Sequence, residues 1–215
     1  MTLDKKNLFC LSAVLLLTLA AFSSALNNQF LNWDDDRMLT ENPSVRSLTP
    51  GNIQHIFTST VQRVYIPLSV FSLAVEYAFA GDHPFIYHLD NVLLHLLVTG
   101  LIFVFALRMG LSGRAAGWAA LLFGIHPMHV ESVAWVTERK DVLYSVFYMA
   151  SLISYWQYLE GKKKTDYGLS IVFGFLSILA KPMAISLPLV LFLLDWFKNR
   201  GWNKKILVLI LRLCF

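Results

Sequence analysis

Residues 85–107 read FIYHLDNVLLHLLVTGLIFVFAL, and Asp90 is the only Asp, Glu, Lys or Arg in the run. An α-helix needs about 20 mostly apolar residues to cross the hydrocarbon core of a bilayer, so the run predicts a transmembrane helix. The whole chain has a similar character, since 56% of its 215 residues are hydrophobic and only 15% are charged. A soluble domain has about 25% charged residues. We therefore expect an all-α, polytopic membrane protein.

Further apolar runs lie on both sides of this helix. Residues 8–26 predict a first span, which is favoured over a cleaved signal peptide because the apolar run continues through Leu26. On the carboxyl-terminal side, residues 85–215 hold the remaining spans. After 85–107 these are 115–125, 142–159, 167–180, 183–197 and 206–215. The last run is too short to span, so either the chain is truncated there or this segment packs peripherally. About six to seven transmembrane helices are expected in all.

Residues 27–84 form the one long segment between predicted spans. Its first part, to about residue 65, is rich in Asp, Asn, Thr and Ser and contains the turn signal Asn42-Pro43. Residues 67–80 are apolar but too short to span easily, and Glu76 interrupts them. The segment therefore predicts a long first outer loop with interfacial helices.

The basic residues give the orientation of the chain. With the amino terminus in the cytoplasm, the inner loops hold about 11 Lys and Arg residues and the outer loops about six, as the positive-inside rule requires. The formal net charge of +4 comes from short clusters between apolar runs. Because such clusters are typical of orientation signals, no nucleic-acid partner is expected. The bacterial inner membrane is the expected location.

Two polar clusters fall on the predicted outer side. The first is Asn32-Trp33-Asp34-Asp35-Asp36. Crowded carboxylates suit a general base, and their oxygens suit a divalent cation, which Asp34 and Asp35 would hold. A solvated turn that caps a helix is the alternative explanation of the same residues.

The second cluster begins at His126-Pro127-Met128-His129-Val130-Glu131 and continues to Arg139, Lys140 and Asp141. It does not match the His-Glu-x-x-His arrangement of a zinc site, so zinc is not expected. Basic side chains pair with phosphate oxygens, which favours an anionic head group as ligand. Ordinary interfacial anchoring remains the alternative. Lys181 could touch a lipid phosphate as well, or only snorkel to the interface.

Polar residues also occur inside the predicted span at 85–107. His88, Asn91 and His95 are spaced three and four apart, so they lie on one face of the helix. Ionisable groups in lipid are costly and usually face a cavity or a partner. Hydrogen bonds between helices and a functional site explain the pattern equally well.

An ordered set of motifs links these clusters to a known family. They are Asn32-Trp33-Asp34-Asp35, Pro67-Leu68-Ser69, Tyr87-His88-x-x-Asn91-x-x-x-His95, His126-Pro127-x-His129-x-Glu131-Ser132-Val133-x-Trp135 and Arg139-x-Asp141. In this order they resemble the transmembrane and tetratricopeptide-repeat O-mannosyltransferases and their bacterial relatives, in the C-type glycosyltransferase superfamily. The resemblance runs from about Asn32 to Trp196 and concerns the amino-terminal membrane part of that family.

The resemblance implies a function and a site. Members take a sugar, here one like mannose, from a polyprenyl-phosphate carrier and transfer it to a protein or glycan hydroxyl on the non-cytoplasmic face of the membrane. Asp34 or Asp35 would accept the proton of the acceptor hydroxyl. His129, Glu131 and Arg139 would lie near the donor phosphate or hold the loops together. The expected substrate-binding set is His126, His129, Glu131, Arg139, Asp141 and Lys181.

Two other functions are compatible with the same residues. The chain could be an inactive fragment, or a non-enzymatic membrane protein that binds the lipid carrier or assists assembly. A transporter is less favoured, because the sequence shows neither clear internal repeats nor broken helices around a midplane site.

Overall fold

The computed structural model describes residues 4–198, and within this range the regular elements are all helical. An isolated bridge between Val61 and Val64 is the only β-type pairing in the described range. The α-helices are α1 (Lys5–Phe22), α2 (Pro50–Thr58), α3 (Pro67–Ala80), α4 (Pro84–Arg108), α5 (Gly113–Gly124), α6 (Val130–Ala134), α7 (Arg139–Gly161), α8 (Lys164–Ala180) and α9 (Leu187–Phe197). The all-α prediction is thus confirmed for the described part of the chain.

Local sequence signals explain where several helices begin and end. The side chain of Asp4 accepts a hydrogen bond from Asn7 N and caps α1, and Ser112 caps α5 through Ala115 N. Such caps satisfy backbone donors that the first helical turn leaves free. At the other end of α7, Lys162 adopts a left-handed conformation with φ 56°, which stops the helix.

Two of the described helical segments, Lys5–Asn27 and Pro84–Arg108, are long and apolar enough to cross a membrane. They correspond to the predicted spans 8–26 and 85–107. The runs at 115–125, 142–159, 167–180 and 183–197 are also largely helical, but within residues 4–198 they do not meet the same length and composition. The prediction of six to seven spans is therefore not confirmed, and the run at 206–215 lies outside the described residues.

The glycines of α5 pack closely against side chains of α1. A methyl group added to Gly117 would come within 2.5 Å of Cys10 Sγ, and one added to Gly124 within 2.3 Å of Thr18 Oγ1. Small residues at a helix interface let two backbones approach closely, which is how helices associate in lipid. Positions near the start of α5 meet positions near the start of α1, and positions near its end meet positions near the end of α1. The two helices therefore run parallel.

Taken in chain order, the helices α1, α4, α5, α7, α8 and α9 alternate in direction, so their ends collect on two sides of the bundle. On one side, Asn91 Nδ2 of α4 donates to Trp135 O at 3.1 Å, and Ser69 Oγ of α3 donates to Ala180 O at 2.9 Å. On the opposite side, Lys198 Nζ lies 3.5 Å from Glu160 Oε1. We call the first side the loop side, because it carries residues 27–66 and 125–138.

The predicted first outer loop is folded and covers the loop side. A small core of buried residues joins its turns to α2, α3 and the start of α4. Its members include Met38, Leu39, Ile56, Val70, Leu73 and Tyr87. The predicted interfacial helix has the same bounds as α3, Pro67–Ala80. Burial of these apolar side chains holds the loop in place and fixes the acidic cluster relative to the helix ends.

Candidate active site

The structure distinguishes between the two aspartates that the sequence left equivalent. Asp35 is fully buried, and both carboxylate oxygens accept backbone hydrogen bonds: Oδ2 from Leu31 N at 2.9 Å and Oδ1 from Thr137 N at 3.2 Å. Asp34 is only partly buried, and its Oδ1 accepts a hydrogen bond from Gln62 Nε2 at 2.9 Å. Asp35 therefore fastens two loops, whereas Asp34 is accessible to a substrate.

Asp34 faces a surface cleft of about 350 Å³, which we call the acidic cleft. Its lining consists of Asn32, Trp33, Asp34, Asp36, Arg37 and Glu41. Asp36 Oδ1 accepts a hydrogen bond from Thr40 Oγ1 at 3.3 Å, so it is partly engaged within the loop. The cleft thus offers carboxylates that can accept a proton. The guanidinium of Arg37 and the exposed indole of Trp33 lie beside them.

A tight turn supplies the hydrogen-bond donor to Asp34. Val61 and Val64 exchange backbone hydrogen bonds of 3.0 and 2.9 Å around Gln62 and Arg63. These two central residues have φ of 51° and 67°, a conformation that favours Gly or Asn and costs other residues about 1 kcal/mol or more. Sequence reasoning missed Gln62, because the turn contains none of the residues that usually mark it.

A second pocket lies on the loop side between α4, α5 and α7, and we call it the histidine pocket. It has a volume of about 210 Å³ and is lined by His95, Val98, Phe123, His129, Ser132, Asp141, Val142, Tyr144 and Ser145. The structure thereby brings together His129 and Asp141 from the predicted binding set. His95, which the sequence placed on the polar face of the span, joins them.

Charged groups surround one edge of the histidine pocket. Asp141 contacts Lys181 through Oδ1 and accepts a hydrogen bond from Ser132 Oγ at 3.0 Å through Oδ2. Glu138 lies 3.9 Å from Lys181 Nζ and 2.6 Å from Lys140 Nζ. Two lysines and two carboxylates thus alternate there, and the lysine side chains are 22% and 17% exposed.

The histidines of this region differ in their surroundings. His95 Nε2 is 2.8 Å from Gly124 O, which fixes the ring as a donor to that carbonyl. Burial lowers the pKa of His129, and the neighbouring His126 acts in the same direction, while Asp141 opposes them. His126 is exposed and its Nδ1 accepts a hydrogen bond from Met128 N. Glu131 lies on the exposed surface, away from the histidine pocket lining.

Arg139 is buried and its donors go to protein groups. Nε donates to Asn91 Oδ1 at 2.9 Å, and Nη2 donates to Tyr87 O at 2.9 Å. Nη1 contacts Glu76 and lies 3.2 Å from Asp90 Oδ2. Burial raises the pKa of Glu76, while the Arg139 charge opposes that shift. In this position Arg139 joins α3, α4 and α7. Its expected role near the donor phosphate or in holding the loops together stays a prediction.

The expected divalent cation has no preformed cluster of ligands in the described range. Within residues 4–198, no group of three or more His, Cys, Asp or Glu side chains could hold a metal ion. Asp34 and Asp35 direct their oxygens to different hydrogen-bond donors. A cation at these two residues stays a prediction.

Comparison with known proteins identifies similar sequences. Protein O-mannosyl-transferase TMTC2 of Mus musculus is 36% identical over 149 residues, which cover 65% of this chain and 18% of that protein. Protein O-mannosyl-transferase TMTC4 of Mus musculus is 30% identical over 199 residues, 79% of this chain and 27% of that protein. Protein O-mannosyl-transferase Tmtc1 of Drosophila melanogaster is 30% identical over 202 residues, 90% of this chain and 23% of that protein.

The chain thus spans between 18% and 27% of the length of these three relatives. No protein-family model matches it, and no solved structure matches it.

Proposed function

The chain belongs to the transmembrane and tetratricopeptide-repeat family of protein O-mannosyl-transferases, and we propose that it transfers a sugar to a protein hydroxyl.

 In this proposal the sugar resembles mannose, its donor is a polyprenyl phosphate, and transfer takes place on the non-cytoplasmic face of the membrane. The relatives are protein O-mannosyl-transferases, which supports mannosyl transfer to a protein. The carrier and the side of the membrane rest on the resemblance and on the distribution of basic residues.

The observation that carries the proposal is the placement of Asp34. Its carboxylate lies in an open cleft, while Gln62 holds one of its oxygens and the adjacent Asp35 holds the loop. Asp34 would take the proton of the acceptor hydroxyl as that oxygen attacks the anomeric carbon of the sugar. The bond between the anomeric carbon and the phosphate oxygen then breaks. Polyprenyl phosphate leaves with the electron pair, and a β-linked donor is inverted.

The donor phosphate would bind at the edge of the histidine pocket. Lys181 and Lys140 supply ammonium donors there, and Lys is a common phosphate ligand. His129 and His126 would complete the contacts, whereas Glu138 and Asp141 hold the lysines in position. Arg139 would act indirectly, because its guanidinium is used to join the helices that carry both loops.

The proposed membrane arrangement follows from the two sides of the bundle. α1 and α4 span the bilayer, and α5, α7, α8 and α9 complete the polytopic arrangement. The acidic cleft and the histidine pocket both lie on the loop side, which the proposal places outside the cytoplasm. Lys162, Lys163 and Lys198 lie toward the other side, where the positive-inside rule expects them.

Sugar transfer in membranes containing this chain tests the proposal. The donor is radiolabelled polyprenyl-phosphate mannose, the acceptor is a Ser/Thr-rich peptide, and wild type is compared with Asp34→Asn. Loss of a general base should lower the rate about 100-fold or more. Asp166→Asn, which changes a carboxylate on the first turn of α8, is the matched control and should transfer at the wild-type rate.

Both possible failures have a defined meaning. Undiminished transfer by a correctly inserted Asp34→Asn variant would exclude Asp34 as the base. If wild type inserts and binds the donor but transfers nothing, the catalytic proposal fails and a carrier-binding role replaces it.

A further inference from the structure

An apolar groove runs between α3, α4 and α7, apart from both the acidic cleft and the histidine pocket. We call it the α3–α4 groove, and its volume is about 480 Å³. Most of its lining is hydrophobic, including Leu68, Phe71, Phe79, Ile86, Leu93 and Phe147. Phe79 is 88% exposed, so the groove opens to the outer surface of the bundle. A groove of this size and composition suits a hydrocarbon chain.

Two carboxylates, Glu76 and Asp90, form the charged part of the groove lining. The side chain of Glu76 is 10% exposed and contacts Arg139 through Oε2. Its other oxygen, Oε1, is buried and has no hydrogen-bond partner among residues 4–198. A buried acceptor without a partner carries a free-energy cost, because the hydration that the oxygen loses is not replaced. A ligand that donates a hydrogen bond to Oε1 would remove that cost.

The charged groups near Glu76 indicate the sign of the charge that a ligand should carry. Asp90 also lines the groove, its side chain is 43% exposed, and its Oδ2 lies 3.2 Å from Arg139 Nη1. One guanidinium thus faces two carboxylates, which leaves an excess of acidic groups at the groove. An ammonium group complements this surface, whereas a phosphate placed against it would be repelled.

We propose that the α3–α4 groove binds a membrane lipid with a primary ammonium head group. The ammonium donates to Glu76 Oε1 and to Asp90, and one hydrocarbon chain lies along the apolar lining. α4 is one of the two segments within residues 4–198 that are long and apolar enough to span, and Ile86, Asp90 and Leu93 occupy its first three turns. The groove therefore lies where a head group and the start of its chain occur in a bilayer. This site is separate from the proposed transfer reaction.

Lipid retention by the purified chain tests the proposal without any measurement of transfer. The chain in detergent is incubated with equal amounts of phosphatidylethanolamine, phosphatidylcholine and phosphatidylglycerol, and retained lipid is measured by native mass spectrometry. Phosphatidylcholine keeps the positive charge but has no N–H donors. Comparing it with phosphatidylethanolamine therefore separates the effect of charge from the effect of hydrogen bonding. We expect phosphatidylethanolamine to be retained about fivefold more than either of the others.

Two variants on α4 provide a matched pair. Leu93→Trp fills the groove and should abolish the preference, whereas Leu97→Trp, one turn further on and outside the lining, should keep it. Leu93 and Leu97 are 51% and 49% exposed, so the two changes place similar demands on folding. Equal retention of the three lipids by wild type, preference for phosphatidylglycerol, or an unchanged preference in Leu93→Trp would overturn the proposal.

Discussion

Asp35 accepts a hydrogen bond from the backbone N–H of Thr137, which lies 102 positions further along the chain. The same carboxylate accepts a hydrogen bond from Leu31 N, and it is fully buried. One side chain therefore joins the two loops that carry the acidic cleft and the histidine pocket. Its neighbour Asp34 remains accessible, so adjacent aspartates have different roles.

Asp35→Asn should destabilise the folded chain. The amide retains one acceptor but places an NH₂ group against the second backbone donor, which should cost about 2 kcal/mol. Thermal unfolding in detergent, followed by tryptophan fluorescence, measures the effect. Asp34→Asn should leave the unfolding temperature nearly unchanged. Equal unfolding temperatures for the two variants would contradict the fastening role of Asp35.

Arg139→Lys should also destabilise the chain, although it keeps the charge. The lysine ammonium cannot reproduce the planar fork that reaches Asn91, Glu76 and the carbonyl of Tyr87. Disrupting a buried ion pair costs about 3 kcal/mol or more. Chemical unfolding should show this loss, with exposed Arg114→Lys as the control. A variant as stable as the control would show that a charge alone suffices at position 139.

Gly117→Ala should weaken the packing of α1 against α5. The added methyl would meet Cys10 Sγ at 2.5 Å, and overpacking of this kind costs about 1 to 3 kcal/mol. Gly100→Ala on α4 is the matched control, because its methyl meets nothing within 4 Å. We expect a lower unfolding temperature for the first variant and an equal or higher one for the second. The reverse order would rule out the close approach of α1 and α5.

His129 should make stability fall as the solution becomes acidic. Its pKa in the folded chain lies below the ordinary value of 6.5, mainly because of burial. The unfolded chain therefore binds the proton more readily, and stability is lost as pH falls below about 6.5. Unfolding temperatures between pH 8 and pH 5, values chosen to bracket that pKa, should fall less steeply for His129→Gln than for wild type.

His55→Gln is the control for this experiment, since His55 is exposed on α2. Its stability should follow the wild-type dependence on pH. Parallel curves for wild type and His129→Gln would mean that another group causes the acid sensitivity.

Local sequence was sufficient to predict the helices α3 and α4 and to identify the family. The apolar run at 85–107 became α4 at Pro84–Arg108, and the run at 67–80 became α3 with the same bounds. Proline at the first turn and apolar runs of fixed length act over neighbouring residues, so these signals can be read without a fold. The ordered motifs also identified the O-mannosyl-transferase family, which the relatives confirm.

Other features depended on contacts between distant residues. The two adjacent aspartates share nearly the same local sequence, and the hydrogen bond from the distant Thr137 N helps to set the buried Asp35 apart from the accessible Asp34. Gln62 could not be found from sequence, because its turn lacks Gly and Asn and its partner Asp34 lies 28 positions earlier in the chain. Apolar runs and helix caps are local and were determined by the sequence itself. The hydrogen-bond partner of each polar side chain was decided by tertiary structure, because a hydrogen bond forms only where packing brings its two atoms together.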